Sequence, residues 1–277
     1  MQPTIAFIGA GNMSRAIFGG MLKNGYPAKN ITATGRNIDK LADLAALGLN
    51  VTTDNAQAIK NCKVIVLGVK PQMMQEVCKP LAALCQEHQP LIISVAAGIS
   101  AQSLEQWLGG NLAVVRCMPN TPALVQQGAS ALCANQNVTQ GQKDIAEQII
   151  AATGLAIWVD NETQLNAVTA LSGSGPAYFF LLMESMIDAA VSQGLSTQVA
   201  TQLALQTARG AAEMAQSEED SPAQLRRKIT SPKGTTEQAI LSFQGAGFAE
   251  IIKNGMQANI DRSEQLAIEF GDAPKTD

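Results

Sequence analysis

The sequence predicts an α/β fold in which a doubly wound sheet is followed by an all-helical part. Three observations lead to this prediction. A short apolar strand at the start of the chain runs into a glycine-rich turn, strand and helix patterns alternate to about residue 160, and strand patterns stop after Asp160. We therefore expect one domain over residues 1–161 and a second, all-α dimerisation domain over residues 162–277.

The glycine-rich turn has the pattern of a Rossmann-type dinucleotide-binding site. The apolar string IAFI leads into Gly9-Ala10-Gly11-Asn12-Met13-Ser14 and then into a helical stretch. Gly9 permits the tight turn, Gly11 leaves room for a pyrophosphate, and the small Ser14 lets the helix pack on the strand. The helix start offers N–H groups and a positive dipole end to phosphates. Because the last motif position is Ser, a glycine loop of another α/β domain is the alternative.

Alternating patterns extend through the first part of the chain. Strand patterns cover residues 4–8, 31–34, 64–69, 91–96, 112–117, 130–134 and 156–159, and helical patterns such as 38–46 and 72–84 lie between the earlier ones. This alternation predicts a parallel sheet that binds its ligands at the carboxyl ends of the strands.

The second part of the chain shows helical patterns only. Helical patterns cover residues 162–171, 176–193, 197–216, 222–229, 236–243 and 248–269. Expected caps are Ser196, Ser221 followed by Pro222, and Thr235 with Gln238 three residues on. The 176–193 pattern is apolar on nearly all sides, and a domain of this size has little material to cover it. We expect it to be covered in a homodimer interface.

Composition excludes several classes of partner. Apolar residues make up 46% of the 277 residues and charged residues 15%, and the net charge is −4 without a basic run. No nucleic-acid partner and no anionic membrane partner is therefore expected. No signal segment opens the chain, and Glu184 and Asp188 interrupt the longest apolar run. We expect a cytoplasmic protein.

Thiols and imidazole are predicted to take little part in chemistry. The odd number of irregularly spaced cysteines predicts reduced, mostly buried thiols and no metal site; they are Cys62, Cys78, Cys85, Cys117 and Cys133. Cys117 alone adjoins a motif, and packing is still its favoured interpretation. His88, the one histidine, lies between a helix and a strand, at the amino edge of the sheet opposite the cleft.

The residues after the second strand bear on the choice of cofactor. An acidic residue there typically binds the ribose 2′-hydroxyl of NAD, whereas an arginine accommodates the 2′-phosphate of NADP. The chain has Thr34-Gly35-Arg36-Asn37, which favours NADPH. Asp39 lies close enough to keep NADH as the alternative, and Arg36 as an ordinary loop residue is the other interpretation. Asn55, in a loop before the next strand, is a further candidate for the ribose.

Several motifs together are more specific than the glycine turn. FIGAGNM is followed by VKPQ at residues 69–72, SVAAGI at 94–99, RCMPNTP at 116–122, LSGSGPAY at 171–178 and TSPKGTT at 230–236. From the first strand to the last helix, this set closely resembles the pyrroline-5-carboxylate reductases. The resemblance implies NAD(P)H-dependent reduction of Δ1-pyrroline-5-carboxylate to L-proline. It also implies a helical domain that interlocks with a second subunit, in some members within rings of dimers.

The same resemblance assigns site residues. It implies that the cofactor is lined by Ile8, Gly9, Ala10, Gly11, Asn12, Met13, Gly35, Arg36, Asn37, Asn55, Gly68, Val69, Lys70, Pro71, Val95, Ala96 and Ala97. The substrate would be bound by Met118, Ser174, Gly175, Ser231, Gly234, Thr235 and Thr236, with the 231–236 loop contributed by the partner subunit and Thr236 as the catalytic residue near the imine nitrogen. Lys233 stands where the family usually has a glycine.

The residue chemistry agrees with a cyclic imine as substrate. Hydride transfer to a ketone generally needs an acid or base, most often His or Lys, whereas a protonated imine mainly needs orientation against the nicotinamide. A threonine hydroxyl or a water then suffices to maintain the proton.

The start of the 236–243 helix offers N–H groups and hydroxyls to a carboxylate, although Thr235 as a simple cap is the alternative. Ser174 and Gly175 have a similar alternative, the start of a buried helix. Lys70 and Arg116 are weaker candidates for contacts with the ligands than the threonine loop.

Two other functions are alternatives for this chain. A β-hydroxyacid dehydrogenase would carry a catalytic lysine four residues after the second glycine of its G-x-G-x-x-x-K string, where this chain has Phe179. A non-catalytic NADP-sensing protein would need a partner surface, and the sequence shows neither a basic face nor a separate motif for one.

Overall fold

The computed structural model describes residues 2–271. Residues 2–174 form a compact unit together with residues 258–271, and Gly175–Gln257 form a second unit. The first unit thus extends past Asp160, the residue after which strand patterns stop, and the last helix belongs partly to each unit. The domain boundary between residues 161 and 162 stays a prediction.

One sheet of eight strands forms the centre of the first unit, in the order β3-β2-β1-β4-β5-β6-β7-β8. The strands are β1 (Ile5–Ile8), β2 (Ile31–Thr34), β3 (Asn50–Thr52), β4 (Val64–Leu67), β5 (Leu91–Ser94), β6 (Val114–Met118), β7 (Gly128–Ala134) and β8 (Gly154–Trp158). The order 3-2-1-4-5-6 is that of a dinucleotide-binding sheet, which confirms the predicted fold class.

The expectation of a wholly parallel sheet is wrong for the last two strands. β1 to β6 are parallel to their neighbours, but β7 pairs antiparallel with β6, and β8 is parallel to β7. The connection from β6 to β7 holds only a 3₁₀ helix, Thr121–Val125. A parallel connection needs a crossover of about a dozen residues or more, so this short segment returns the chain antiparallel. β3 was not predicted because its three residues are too few to show alternation.

Helices cover both faces of the sheet. They are α1 (Asn12–Lys23), α2 (Ala42–Ala46), α3 (Asn55–Ile59), α4 (Met74–Cys78), α5 (Ala82–His88), α6 (Ala101–Trp107), α7 (Gln140–Ala151) and α8 (Gln164–Val168). Short 3₁₀ helices at Ala28–Asn30, Ile38–Leu41, Pro71–Met73 and Lys79–Leu81 and a π-helix at Thr169–Gly173 join them. The pattern at 72–84 gives α4 and α5 rather than one helix because Pro80 cannot continue an α-helix.

Two apolar layers hold these helices on the sheet. Side chains alternate along β1, so that Ile5 and Phe7 face one layer, with α1 and α7, while Ala6 and Ile8 face the other, with α4, α5 and α6. Phe7 meets Phe18 of α1 edge to face at 5.3 Å between ring centroids. All four β1 residues are fully buried, so β1 holds the glycine turn rigidly at its carboxyl end.

The second unit is helical. It contains α9 (Gly175–Ser192), α10 (Thr197–Ser217), α11 (Pro222–Lys228), α12 (Thr235–Gly245) and the first part of α13 (Phe248–Phe270). Ser196 caps α10, and Ser221 with Gln224 forms a capping box on α11, as predicted for the two serines. The cap expected at Thr235 is wrong, because Gly234 takes the N-cap position and Thr235 is the first helical residue.

α9 exposes apolar side chains in the single chain. Phe179, Phe180 and Leu181 each have more than 60% of their surface accessible. Exposed apolar side chains grouped on one helix are typical of a surface that another molecule covers. Among residues 2–271, no helix is long and apolar enough to cross a lipid bilayer.

Candidate cofactor cleft and substrate loop

A cleft of about 800 Å³ opens at the carboxyl ends of β1, β2 and β4. It is lined by Gly9, Ala10, Gly11, Arg15, Thr34, Gly35, Arg36, Asn37, Lys40, Leu41, Thr53, Asn55, Gly68, Val69, Lys70, Met73 and Val77. This is the edge of the sheet at which a doubly wound fold binds its ligand. Ten of the residues predicted to contact a cofactor lie in this wall.

The floor of the cleft is built from backbone in close approach. A Cβ on Gly9, which has a φ of +94°, would lie 2.8 Å from Val69 Cγ1, and a Cβ on Gly68 would lie 2.1 Å from Ser14 Oγ. Ser14 Oγ donates to the Gly9 carbonyl at 2.6 Å, which fixes the turn from within. No side chain caps α1 at Gly11, so its first N–H groups face the cleft. This cradle fits the phosphates of a dinucleotide.

Cationic side chains lie at the end of the cleft that follows β2, away from the glycine turn. Arg36 and Lys40 line it, as does Arg15 from the first turns of α1. Asn37 Oδ1 accepts the Asp39 N–H at 2.8 Å. Asn37 lines the cleft, whereas Asp39 does not. An anionic substituent on the ribose would meet positive charge here.

Sequence reasoning missed Arg15 and Lys40 and misplaced Asn55. Arg15 follows the glycine motif by one residue, and its only sequence signal is its place in the first turns of the helix after that motif. Asn55 is not in a loop but begins α3, because the Asp54 carboxylate accepts the N–H groups of Ala56 and Gln57 and caps the helix.

Seven predicted cofactor residues do not line the cleft. They are Ile8, Asn12, Met13, Pro71, Val95, Ala96 and Ala97. The side chain of Ile8 is fully buried, and its carbonyl accepts the Gly68 N–H at 2.9 Å. Residues 95–97 follow β5, where Ser94 is in register with Arg116 of β6. They therefore lie at the carboxyl edge of the sheet, further along than the cleft, and their role stays a prediction.

Met118 lies against the π-helix that precedes α9. A Cβ on Gly173 would lie 2.6 Å from Met118 Cε, so only glycine permits this approach. Ser174 follows, and its hydroxyl accepts a hydrogen bond from Asn259 Nδ2 of α13 at 2.9 Å. Gly175 is buried at the start of α9. π-Helical turns are frequent at functional sites, and this one places Gly173 against Met118 at the end of β6.

The 231–236 loop forms a tight turn before α12 in the second unit. The Gly234 N–H donates to the Ser231 carbonyl at 3.0 Å, and Glu237 accepts the Lys233 N–H at 2.7 Å. Gly234 provides no side-chain cap, and Thr235 and Thr236 are exposed. Within the described part of the chain, neither threonine hydroxyl is used to cap the helix, so the helix start is available to an anion.

Lys233 occupies a position in this loop whose backbone conformation favours glycine. Its φ is +59°, in the left-handed region, where a side chain costs about 1–2 kcal/mol. The loop keeps its turn in spite of the lysine that stands where the resemblance expects a glycine.

Three other candidates take no direct part in the cleft. Arg116 Nη1 pairs with Glu162 Oε1 at 2.7 Å, and the same oxygen accepts the Ala101 N–H. Cys117 is buried, and burial raises the pKa of its thiol to about 12, so it remains a neutral thiol. His88 ends α5 and is exposed, as expected. Lys70 does line the cleft.

Family models match both parts of the chain. A model described as "Pyrroline-5-carboxylate reductase dimerisation" matches residues 162–266. A model described as "NADP oxidoreductase coenzyme F420-dependent" matches residues 4–98, which contain the glycine turn and all the lining residues of the cleft.

Similar proteins match over nearly the whole chain. A pyrroline-5-carboxylate reductase of Pseudomonas aeruginosa is 51% identical, covering 97% of this chain and 98% of the relative, and one of Vibrio alginolyticus is 44% identical over 95% and 97%. A solved reductase from Coxiella burnetii has a TM-score of 0.93 at 43% identity, covering 96% of this chain and 99% of that one. A Plasmodium falciparum pyrroline carboxylate reductase solved with NADP bound has a TM-score of 0.85 at 30% identity, covering 96% and 99%. The chain therefore belongs to the pyrroline-5-carboxylate reductase family.

Proposed function

We propose that this protein reduces Δ1-pyrroline-5-carboxylate to L-proline with NAD(P)H, the last step of proline biosynthesis. The observation that carries the proposal is the 51% identity to a named pyrroline-5-carboxylate reductase over 97% of the chain. The dinucleotide cleft agrees with it, since an imine reductase of this kind needs a bound nicotinamide. When bound, the reduced nicotinamide supplies the hydride that the imine carbon accepts.

NADPH is the favoured cofactor. Support comes from Arg36 and Lys40, which line the ribose end of the cleft, while no carboxylate is among its lining residues in the described part of the chain. A 2′-phosphate gains charge-assisted hydrogen bonds from such cations, whereas the 2′-hydroxyl of NADH lacks the carboxylate acceptor that usually binds it.

The substrate carboxylate binds, in this proposal, to the 231–236 loop. The uncapped start of α12 offers N–H groups, and Thr235 and Thr236 offer exposed hydroxyls. Thr236 is the proposed catalytic residue, whose hydroxyl holds the proton at the imine nitrogen. Met118, Ser174 and Gly175 are proposed to complete the substrate pocket. A pocket of this kind needs no imidazole, since an imine that stays protonated is already electrophilic.

A second copy of the chain is proposed to bring its loop to this site. The dimerisation model over residues 162–266 and the exposed apolar side chains of α9 support a homodimer. Assembly of the dimers into a ring is a further part of the proposal. We also propose the cytoplasm as its location, where the five free cysteines would stay reduced.

Substrate specificity tests the function directly. Purified protein should consume NADPH when given Δ1-pyrroline-5-carboxylate and form an equal amount of L-proline. A 3-hydroxy acid with NADP should give no turnover. Turnover of the hydroxy acid alone would indicate a β-hydroxyacid dehydrogenase, and NADPH binding without turnover of either substrate would indicate an NADP sensor.

A threonine variant tests the loop. Thr236→Ala should lower kcat by about ten- to a hundredfold if its hydroxyl maintains the imine proton, at the low end of positioned proton transfer. Thr197→Ala is the matched control, an exposed threonine at the start of α10 that should leave turnover unchanged. Full turnover by Thr236→Ala at every pH would remove Thr236 from the mechanism.

A further inference from the structure

Arg15 joins the two walls of the cofactor cleft. Its Nε donates to the Ala10 carbonyl at 3.1 Å, in the glycine turn. Its Nη2 donates to the Lys40 carbonyl at 2.9 Å and to Asp43 Oδ1 at 3.3 Å, and its Nη1 pairs with Asp43 Oδ2. One guanidinium therefore ties the phosphate-binding turn to the segment 36–43, which carries the cations of the ribose end.

Segment 36–43 needs such a tie. Half of it is a 3₁₀ helix, Ile38–Leu41, a conformation with poor hydrogen-bond geometry that occurs mostly in short pieces. Leu41 is its one buried side chain, and residues 36–40 are exposed. Arg15 supplies the polar anchor on the cleft side, with the planar, pre-organised fork that lysine lacks.

The guanidinium of Arg15 is already neutralised. Asp43 accepts two of its N–H groups, and the hydrogen bond from Arg15 holds the pKa of the Asp43 carboxyl below its usual range. In contrast, no ion pair joins Arg36 or Lys40 to a carboxylate anywhere in residues 2–271. The positive charge left for a ligand at this end of the cleft thus belongs to Arg36 and Lys40.

We propose that Arg15 and Asp43 are a positioning pair that selects for NADPH without touching it: they hold segment 36–43 so that Arg36 and Lys40 meet the 2′-phosphate. The proposal deepens the proposed function and rests on its use of NADPH. If the segment occupies its binding-competent position for a smaller fraction of the time, the apparent affinity for the phosphate falls by that fraction. A ligand without a 2′-phosphate does not contact Arg36 and Lys40 through that group, so its affinity should not depend on the position of segment 36–43.

Binding of nucleotide fragments tests the pair without any turnover. Calorimetry on the full-length protein compares adenosine 2′,5′-bisphosphate with adenosine 5′-monophosphate, using Arg15→Gln, Asp43→Asn and the double variant. Each single variant should weaken bisphosphate binding about three- to tenfold and leave monophosphate binding within about twofold. The double variant should be no weaker than the singles, because both substitutions break the same contact. Lys60→Gln, an exposed lysine outside the cleft, should match the wild type.

Opposite results would overturn the proposal. If Arg15 were itself a phosphate ligand, Asp43→Asn would free its charge and strengthen bisphosphate binding. Equal weakening of both fragments, or a wild type that does not prefer the bisphosphate, would also contradict it. Should Arg15→Gln fail to fold, Asp43→Asn carries the test alone, since Asp43 is exposed. Turnover of pyrroline-5-carboxylate by the wild type is measured separately, so that failure of the proposed function is distinguished from failure of the pair.

Discussion

Gly68→Ala is predicted to cost less stability when Ser14 is also replaced by alanine. A Cβ at residue 68 would lie 2.1 Å from Ser14 Oγ, about 1 Å closer than contact permits, and Ser14 is 1% exposed and cannot move to solvent. Overpacking costs about 1–3 kcal/mol. Displacing Ser14 Oγ also breaks its 2.6 Å hydrogen bond to the Gly9 carbonyl, at a net cost of about 1 kcal/mol. Gly68→Ala should therefore lower the free energy of unfolding by about 3 kcal/mol.

Removing the hydroxyl should remove most of the clash. In a Ser14→Ala background the nearest atoms to the new Cβ are Gly9 O at 3.0 Å, which is still a tight contact, and the residue 14 Cβ at 3.5 Å, which is an ordinary one. Ser14→Ala alone should cost about 1 kcal/mol for the lost hydrogen bond. The double variant should then lose about 2 kcal/mol, roughly 2 kcal/mol less than the sum of the singles.

Urea unfolding followed by circular dichroism measures these three free energies, and NADPH binding by fluorescence shows whether the turn recovers its shape. Gly19→Ala is the matched control, since no atom lies within 4 Å of its would-be Cβ, and it should stabilise α1 by about 0.5–1 kcal/mol. Additivity of the two substitutions within about 0.5 kcal/mol would refute the packing described here.

Three further predictions concern other parts of the molecule. Burial raises the pKa of Cys78 and Cys117 to about 12. The free energy of unfolding should therefore be constant up to about pH 8.5 and then fall by about 1.4 kcal/mol per thiol per pH unit. Urea unfolding midpoints measured against pH would show this slope, and Cys78→Ala should reduce it. Lys233→Gly relieves a left-handed backbone and should raise the free energy of unfolding by about 0.5–1 kcal/mol, whereas a loss would mean that the lysine side chain stabilises the loop. Phe180→Glu should yield monomers in light scattering while Leu47→Glu, similarly exposed in the first unit, should not; an unchanged dimer would place the interface elsewhere.

Local features of the sequence predicted most of the fold. The glycine turn, the alternating elements and the long helices follow from contacts between residues near one another in the chain, and their bounds differ from the prediction by only a few residues. The direction of β7 was missed because it depends on the length of the connection after β6 rather than on any pattern within the strand. The cap of α12 was missed because Gly234 competes with Thr235 for the same position.

Contacts between distant residues were not predictable from the sequence. Arg15 and Asp43 lie 28 residues apart, and nothing in either local pattern indicates that they pair. Ser174 and Asn259 lie 85 residues apart, and their hydrogen bond depends on α13 returning to the first unit. Lysine itself gives no sequence signal for the positive φ of residue 233, and only the glycine that the resemblance expects there indicates it.

Mixed dimers test most directly the claim that one subunit holds the cofactor and its partner holds the substrate. Gly11→Asp fits the backbone, since Gly11 has a φ of −76° and its would-be Cβ is 3.8 Å from the nearest atom, but it places a carboxylate where the pyrophosphate is proposed to bind. Thr236→Asp places one where the substrate carboxylate is proposed to bind. Each variant alone should form no proline.

Refolded together in equal amounts, the two variants should recover about a quarter of wild-type proline formation, because about half of the dimers are mixed and one of their two sites is intact. Mixed dimers that are present by native mass spectrometry yet form no proline would contradict a site shared between subunits.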